Sequence, residues 1–439
     1  MNTKCESEDL NISDRENPLI KSIVRDDRVE LVSQVKRLAA SNKANTSSEQ
    51  NRGRLYQPMD RSLVSKLLHL CCEFDSADCA AALLNGDIIG RVPLINEIDR
   101  DTGRSPLHTA AECHSCRCIE LLLRKRARTD LKTKDSCAHV ALERSLRCSR
   151  MDVDWSSEQS VDELILLLGD TDLTAIRLLS EKTKEIIDVA YSIAMEGKVV
   201  LLAALLMLAA DKVTSVLEVR NEVDLVLEGK AEGHLSFKEK MTVYDCVIRE
   251  ALFLKQLGNS TSLKVIKRSS KLIKNENEEL RKLLLCEIEL LQFFGAVPWS
   301  ASTDKRVASP LILASQAGDE AVMKLILQTN IDVNDADADG NTALHWCLKV
   351  LKGSSPEQLR ILLLLLNHGA RVSQKNKLGL TASHIAAANG NPQALEASHD
   401  ILIRFHLPLF VDAFVIPLLV ITDPSTSGSL YCSRNIRIE

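Results

Sequence analysis

An all-α solenoid of stacked helix pairs is the fold class this sequence predicts, on three observations. Ser105-Pro-Leu-His108-Thr-Ala110-Ala111, Thr342-Ala-Leu-His345 and Thr381-Ala-Ser-His384-Ile-Ala386-Ala387 are one spaced phrase, and a fourth version, Ser309-Pro-Leu-Ile312-Leu-Ala314, starts 33 residues before Thr342. Such a period is what repeated helix pairs leave in a sequence. A glycine recurs six residues past the phrase position, at Gly197 after Tyr191, Gly318 after Ile312 and Gly390 after His384; glycine there ends a first helix at no steric cost. Hydrophobic residues make up 45% of the 439 and charged residues 26%, but aromatics only 3%. Stacked helices pack on Leu and Ala, whereas a sandwich or barrel draws on Tyr, Phe and Trp. One such unit cannot bury its apolar face alone, so the phrases imply an elongated stack suited to holding something else.

Taken in order, residues 1–60 are expected to be a mostly disordered polar N-terminal tail, because the Asn- and Ser-rich stretch at Ser41 to Ser48 buries too little to offset chain ordering. Within it Ile20, Ile23, Val24, Val29, Leu31, Val32 and Val35 recur at helical spacing, which allows a short helix there or on a partner. Residues 61–212 hold a first group of repeats. His69 marks a weak unit with Cys71-Cys72 where later phrases have Ala-Ala, His108 the next, His139 a third, and Tyr191 to Gly197 followed by Leu201 to Leu206 a fourth. Residues 213–300 are a degenerate helical repeat with a basic insertion from Lys264 to Lys271; its second helix carries Leu280, Leu284, Ile288 and Leu291 on one stripe and ends Gly295-Ala296, like Gly369-Ala370. Residues 301–397 hold the second group. Residues 398–439 form an atypical apolar C-terminal tail whose Leu407 to Ile421 run, 15 residues with Asp412, Pro408 and Pro417, falls short of the about 20 a membrane span needs. It fits packing on the last repeat, or the exposed end of a truncated or alternatively spliced product.

These phrases resemble those of the ankyrin-repeat family over Leu67 to Ala397, most closely at Arg104 to Asp135 and Ser309 to Asn389. The resemblance implies an ankyrin-type solenoid with short hairpin turns, several degenerate repeats and a flexible N-terminal tail. In that family the phrase histidine fastens neighbouring turns, and Ala-Ala lets the two helices approach. Asp99 to Gly103, Asp335 to Gly340 and Lys375 to Gly379 look like its projecting finger turns. A non-catalytic protein–protein interaction scaffold or adaptor is the function implied, for a protein partner the sequence does not name. The alternative is a recognition fragment of a longer regulatory protein whose ligase, kinase or zinc-finger domain is missing. Exposed candidates for the contact are Arg100, Asp101, Asp335, Asp337, Asp339, Lys375 and Lys377.

Other chemistries find little support. Cys113-His114-Ser-Cys116-Arg-Cys118 offers soft zinc ligands, but Cys118 falls on an apolar helical position and His114 in the interhelical glycine slot. Asp335-x-Asp337-x-Asp339-Gly340 begins like a calcium loop, yet Trp346 stands where the bidentate Glu is needed. Arg124 to Arg128 reads as a helix end facing the negative dipole, with nuclear import the alternative. There is no phosphate loop, nucleophile elbow or metalloprotease helix to nominate a catalytic residue, cofactor, metal or small-molecule substrate. The formal charge of -5 argues against wholesale nucleic-acid binding. Thirteen cysteines, mostly in apolar runs, read as reduced core thiols, and the polar start contains no signal peptide; a cytoplasmic location follows, with the nucleus as an alternative.

Overall fold

The computed structural model describes residues 17–44, 61–86, 94–135, 137–149, 160–169, 171–208, 217–218, 221–227, 235–255, 263–265, 274–298, 308–350 and 356–388. The chain divides into two compact units, Met1–Val216 and Leu217–Glu439. The apolar C-terminal tail lies outside the described residues.

In the first unit, first helices α1 (Pro18–Val24), α3 (Arg61–Glu73), α5 (Pro106–Glu112), α7 (Ala141–Cys148) and α10 (Ile186–Ala194) form one row. Second helices α2 (Arg28–Ala44), α4 (Ala77–Leu84), α6 (Cys116–Arg124), α9 (Thr174–Lys182) and α11 (Val199–Leu208) form another, and α8 (Val161–Gly169) is extra. Each helix packs mainly on its own partner and on the same helix of the next pair, so the core is a continuous seam between the rows. Leu107, Ala110 and Ala111 of α5 and Cys118, Ile119 and Leu122 of α6 are buried in it.

The segment expected to be tail therefore contains a repeat, α1–α2, with Ile20, Ile23, Leu31 and Val35 buried. Residues 1–16 and 45–60 lie outside the described residues. The repeat geometry is complete: Asn17 caps α1 through Oδ1 and Pro18 fills its first turn, as Ser309 and Pro310 do elsewhere. Asp26 turns the chain with φ 51°, the role of Asp75 at 53°, His114 at 56° and Gly318 at 67°. Asp26 Oδ1 then accepts the Cys79 N–H at 3.0 Å, and Asp75 Oδ1 accepts the Cys118 N–H at 2.9 Å. Two successive units are thus capped by a left-handed Asp from the unit before. The Sγ–H groups follow the same rule, Cys79 bonding the Ser22 carbonyl and Cys118 the Cys71 carbonyl.

In the second unit, α12 (Val243–Lys255), α14 (Pro310–Ala317), α16 (Ala343–Val350) and α18 (Ala382–Ala388) are first helices, with α13 (Lys274–Phe293), α15 (Glu320–Leu327) and α17 (Pro356–Asn367) behind them. The degenerate repeat is the pair α12–α13. Gln292 ties it to the next repeat, its Nε2 donating to Tyr244 Oη at 2.6 Å and to the Leu325 carbonyl at 2.8 Å. Arg281 meets both oxygens of the buried Asp319 at 2.8 Å. The helical reading of this region omitted a small sheet. Strands β1 (Asn221–Leu227), β2 (Leu235–Met241) and β3 (Leu263–Val265) pair antiparallel in the order β2-β1-β3, with Leu225 opposite Phe237 on one side and Val265 on the other. Val223, Leu225 and Leu227 alternate with polar residues except at Val226, the period-two signal of a strand rather than a helix.

Candidate functional site

The phrase residues turn out to be framework. Ser105 N–H donates to His108 Nδ1 at 3.3 Å, and the Ser105 hydroxyl lies 2.7 Å from the same nitrogen. An Nδ1 that accepts a backbone N–H leaves the proton on Nε2, which meets the His139 carbonyl of the following repeat at 3.2 Å. His345 repeats this with Thr342 N–H at 3.2 Å and the Leu380 carbonyl at 3.2 Å. His384 takes the Thr381 N–H at 3.2 Å. Burial pushes His108 and His345 below the ordinary histidine value, consistent with a neutral ring.

The same bond corrects one register. Since His139 supplies the carbonyl that Leu380 supplies elsewhere, it stands before the phrase; Val140 is the N-cap residue and Glu143 occupies the histidine place. Glu143 is buried and accepts from Arg147 at 2.9 Å and from Ser192 Oγ at 2.9 Å. His69 keeps the six-residue distance to its turn residue Asp75, but α3 starts eight residues before it, so its ring caps nothing. Its Nδ1 lies instead 2.8 Å from Thr109 Oγ1 on the next first helix.

Three turns project with one design. Asp99 N–H donates to the Arg104 carbonyl at 2.8 Å, Asp337 to Asn341 at 3.0 Å and Asn376 to Leu380 at 2.9 Å, with Gly103, Gly340 and Gly379 all at positive φ. Adjacent turns are joined by Lys134 N–H to the Gly103 carbonyl at 2.9 Å and Lys377 N–H to the Asp339 carbonyl at 3.0 Å. A Cβ on Gly340 would stand 3.0 Å from that Lys377 nitrogen, so close approach as well as φ 78° requires glycine.

The seven candidates separate by what their side chains do. Arg100, Asp101, Asp339, Lys375 and Lys377 are exposed on the turns, Asp101 reaching Lys66 at 3.5 Å. Asp335 and Asp337 are half-buried and turned inward. Asp335 Oδ1 accepts the Ala336 N–H at 3.0 Å. Asp337 Oδ1 accepts the N–H groups of Asp339 at 2.9 Å and Asn341 at 2.8 Å, while Oδ2 accepts Trp346 Nε1–H at 2.7 Å. A carboxylate that spends three of its roughly four acceptor sites on its own turn and the following helix is a turn-former. Arg100 and Asp101 belong to the first unit and the other five to the second, where Asp339 and Lys377 are brought together.

Sequence reading missed the side chain one position past the phrase histidine, which faces the turns. Trp346 sits there on α16 with Lys349 Nζ 4.2 Å from its ring centre. In the Cys113 to Cys118 run, Cys113 is exposed while Cys118 is buried against Cys71; no group of metal-ligating side chains is gathered among the described residues. Among those residues no helix is long and apolar enough to cross a membrane. A family model described as ankyrin repeats, in three copies, matches residues 33–135 and 271–376, the first match beginning inside α2.

Proposed function

The chain is an ankyrin-repeat protein, and we propose from that premise that it is a non-catalytic scaffold or adaptor that binds a protein partner through its projecting turns and first-helix face. Ankyrin repeats in general are protein-interaction modules. What carries the reading is the division of labour within the repeats. The recurring polar groups, His108, His345 and Asp337, spend their bonds on the framework, whereas Arg100, Asp101, Asp339, Lys375 and Lys377 stand exposed on turns that the framework holds in place. Histidines fixed as neutral donors to backbone carbonyls are not placed for proton transfer, which supports a non-catalytic role. Mixed charges of this kind set specificity and encounter rate more than affinity.

The test is affinity capture with mass spectrometry, run with the full chain and with an Asp339→Lys, Lys377→Glu variant. Both side chains are exposed, so the melting temperature should hold while a directly bound protein is lost and its salt dependence changes. A set of captured proteins identical for the two chains would remove these turns from the contact.

A further inference from the structure

Within the first unit, α3, the 99–104 turn and α5 enclose a cleft of 470 Å³, inside the usual range for a ligand site. Glu73, Asp99, Asp101 and Glu112 line it against two cations, Lys66 and Arg104. The cations are already engaged. Arg104 pairs with Glu112 at 2.5 Å, and Lys66 reaches Asp101 at 3.5 Å. Glu73 has no ion pair among the described residues, whereas Asp99, whose Oδ2 accepts the Thr102 N–H at 3.0 Å and hydroxyl at 2.8 Å, feels Lys66 and His69 without a direct salt bridge to either. Leu70, apolar and half-buried, also lines the cleft. Two solvent-shielded polar atoms of the lining residues, Arg104 Nε and His69 Nε2, have no hydrogen-bond partner among the described residues.

We propose that this cleft receives one arginine side chain of a bound polypeptide. The proposal rests on the protein-binding reading above and adds the chemistry of one contact. A guanidinium presents five donors in a planar fork, which suits two separate carboxylates, Glu73 and Asp99, better than a point charge does. Its aliphatic stem lies along Leu70. An anionic side chain is disfavoured, since the surplus charge in the cleft is negative.

The experiment titrates the full ¹⁵N-labelled chain with N-acetyl-L-arginine amide and, separately, with N-acetyl-L-glutamate amide, following backbone amide shifts. The arginine probe should give saturable shifts at His69, Thr102 and Arg104, with a Kd on the order of millimolar, and the glutamate probe none. Glu73→Gln, an exposed substitution that leaves the fold alone, should weaken the arginine probe about fivefold. Asp99→Asn retains an acceptor for Thr102 and should weaken it by a similar factor. Saturation by the glutamate probe, shifts that stay linear and scattered, or arginine binding indifferent to both variants would each overturn the cleft. Capture of a partner that survives while the arginine probe is silent defeats the cleft alone; arginine binding without any captured protein defeats the scaffold reading and leaves the cleft standing.

Discussion

His108 serves two repeats with one ring, and that double use makes its protonation state a stability term. The unfolded chain takes up a proton near the ordinary value of 6.5, whereas burial holds the folded rings of His69, His108, His114 and His345 below it. Below about 6.5 the unfolded state therefore binds more protons, so the stabilisation is complete above that value and is lost as pH falls toward the folded pKa. Urea midpoints should drop between about pH 7.5 and pH 5.5, and by less in a His345→Ala variant, which has already lost part of the effect. Asp337 and Asp339 offer a second contrast. Both oxygens of Asp337 accept from N–H groups, so either orientation of an Asn there sets donor against donor. Asp337→Asn should cost about 1–3 kcal/mol, while Asp339→Asn should stay within about 0.5 kcal/mol, as read by denaturant unfolding. In the sequence these two were equivalent members of one acidic run, because spacing shows that a residue lies in a turn but not which way its side chain faces.

At the scale of helices and turns, capping decides how one repeat holds the next. Asp26 accepts the N–H groups of Asp78 at 3.1 Å and Cys79 at 3.0 Å and pairs with Arg117 at 3.0 Å. Asp26→Ala should cost about 1–2 kcal/mol, and hydrogen exchange should quicken first at the α4 amides. In the other unit, Arg281→Ala strands the buried Asp319 and should cost about 3 kcal/mol; recovery of most of that stability by Arg281→Ala, Asp319→Asn together would identify the stranded charge as the cause. The phrases at Ser105, Ser309, Thr342 and Thr381 made their helices legible because each combines a cap, a first-turn position and a small close-packed residue, Ala in three of them and Cys347 in the Thr342 phrase. The α1–α2 pair was not read as a repeat because Asn17-Pro18-Leu19-Ile20 runs on to Ser22 where Ser309-Pro310-Leu311-Ile312 runs on to Ala314, although Asp26 keeps the six-residue step. The sheet was missed because a helical frame was extended across a stretch whose alternation had changed period.

Across the whole molecule the cysteines report on packing. Cys71, Cys72, Cys79, Cys118, Cys246, Cys286 and Cys347 are buried free thiols, and Cys113 and Cys137 are exposed. Burial lifts Cys286 to about 11 and Cys79 and Cys347 to about 12, leaving almost no thiolate to react. Iodoacetamide at about pH 8 should modify Cys113 and Cys137 in the native protein and the buried set only when their helices open, as mapped by peptide mass spectrometry. The seam between rows of helices was readable from the sequence, since it follows from the Leu and Ala content; the projecting surface was readable only as a position, since its partner is written nowhere in the framework. One consequence concerns descent. The histidine of one repeat is fastened to a main-chain carbonyl of the next, His139 or Leu380, an atom that every amino acid supplies. A duplicated or drifting repeat thus keeps this bond whatever happens to its own letters, and the unit of α7, with Glu143 where a histidine belongs, has changed its wording without losing the grip of the neighbour before it.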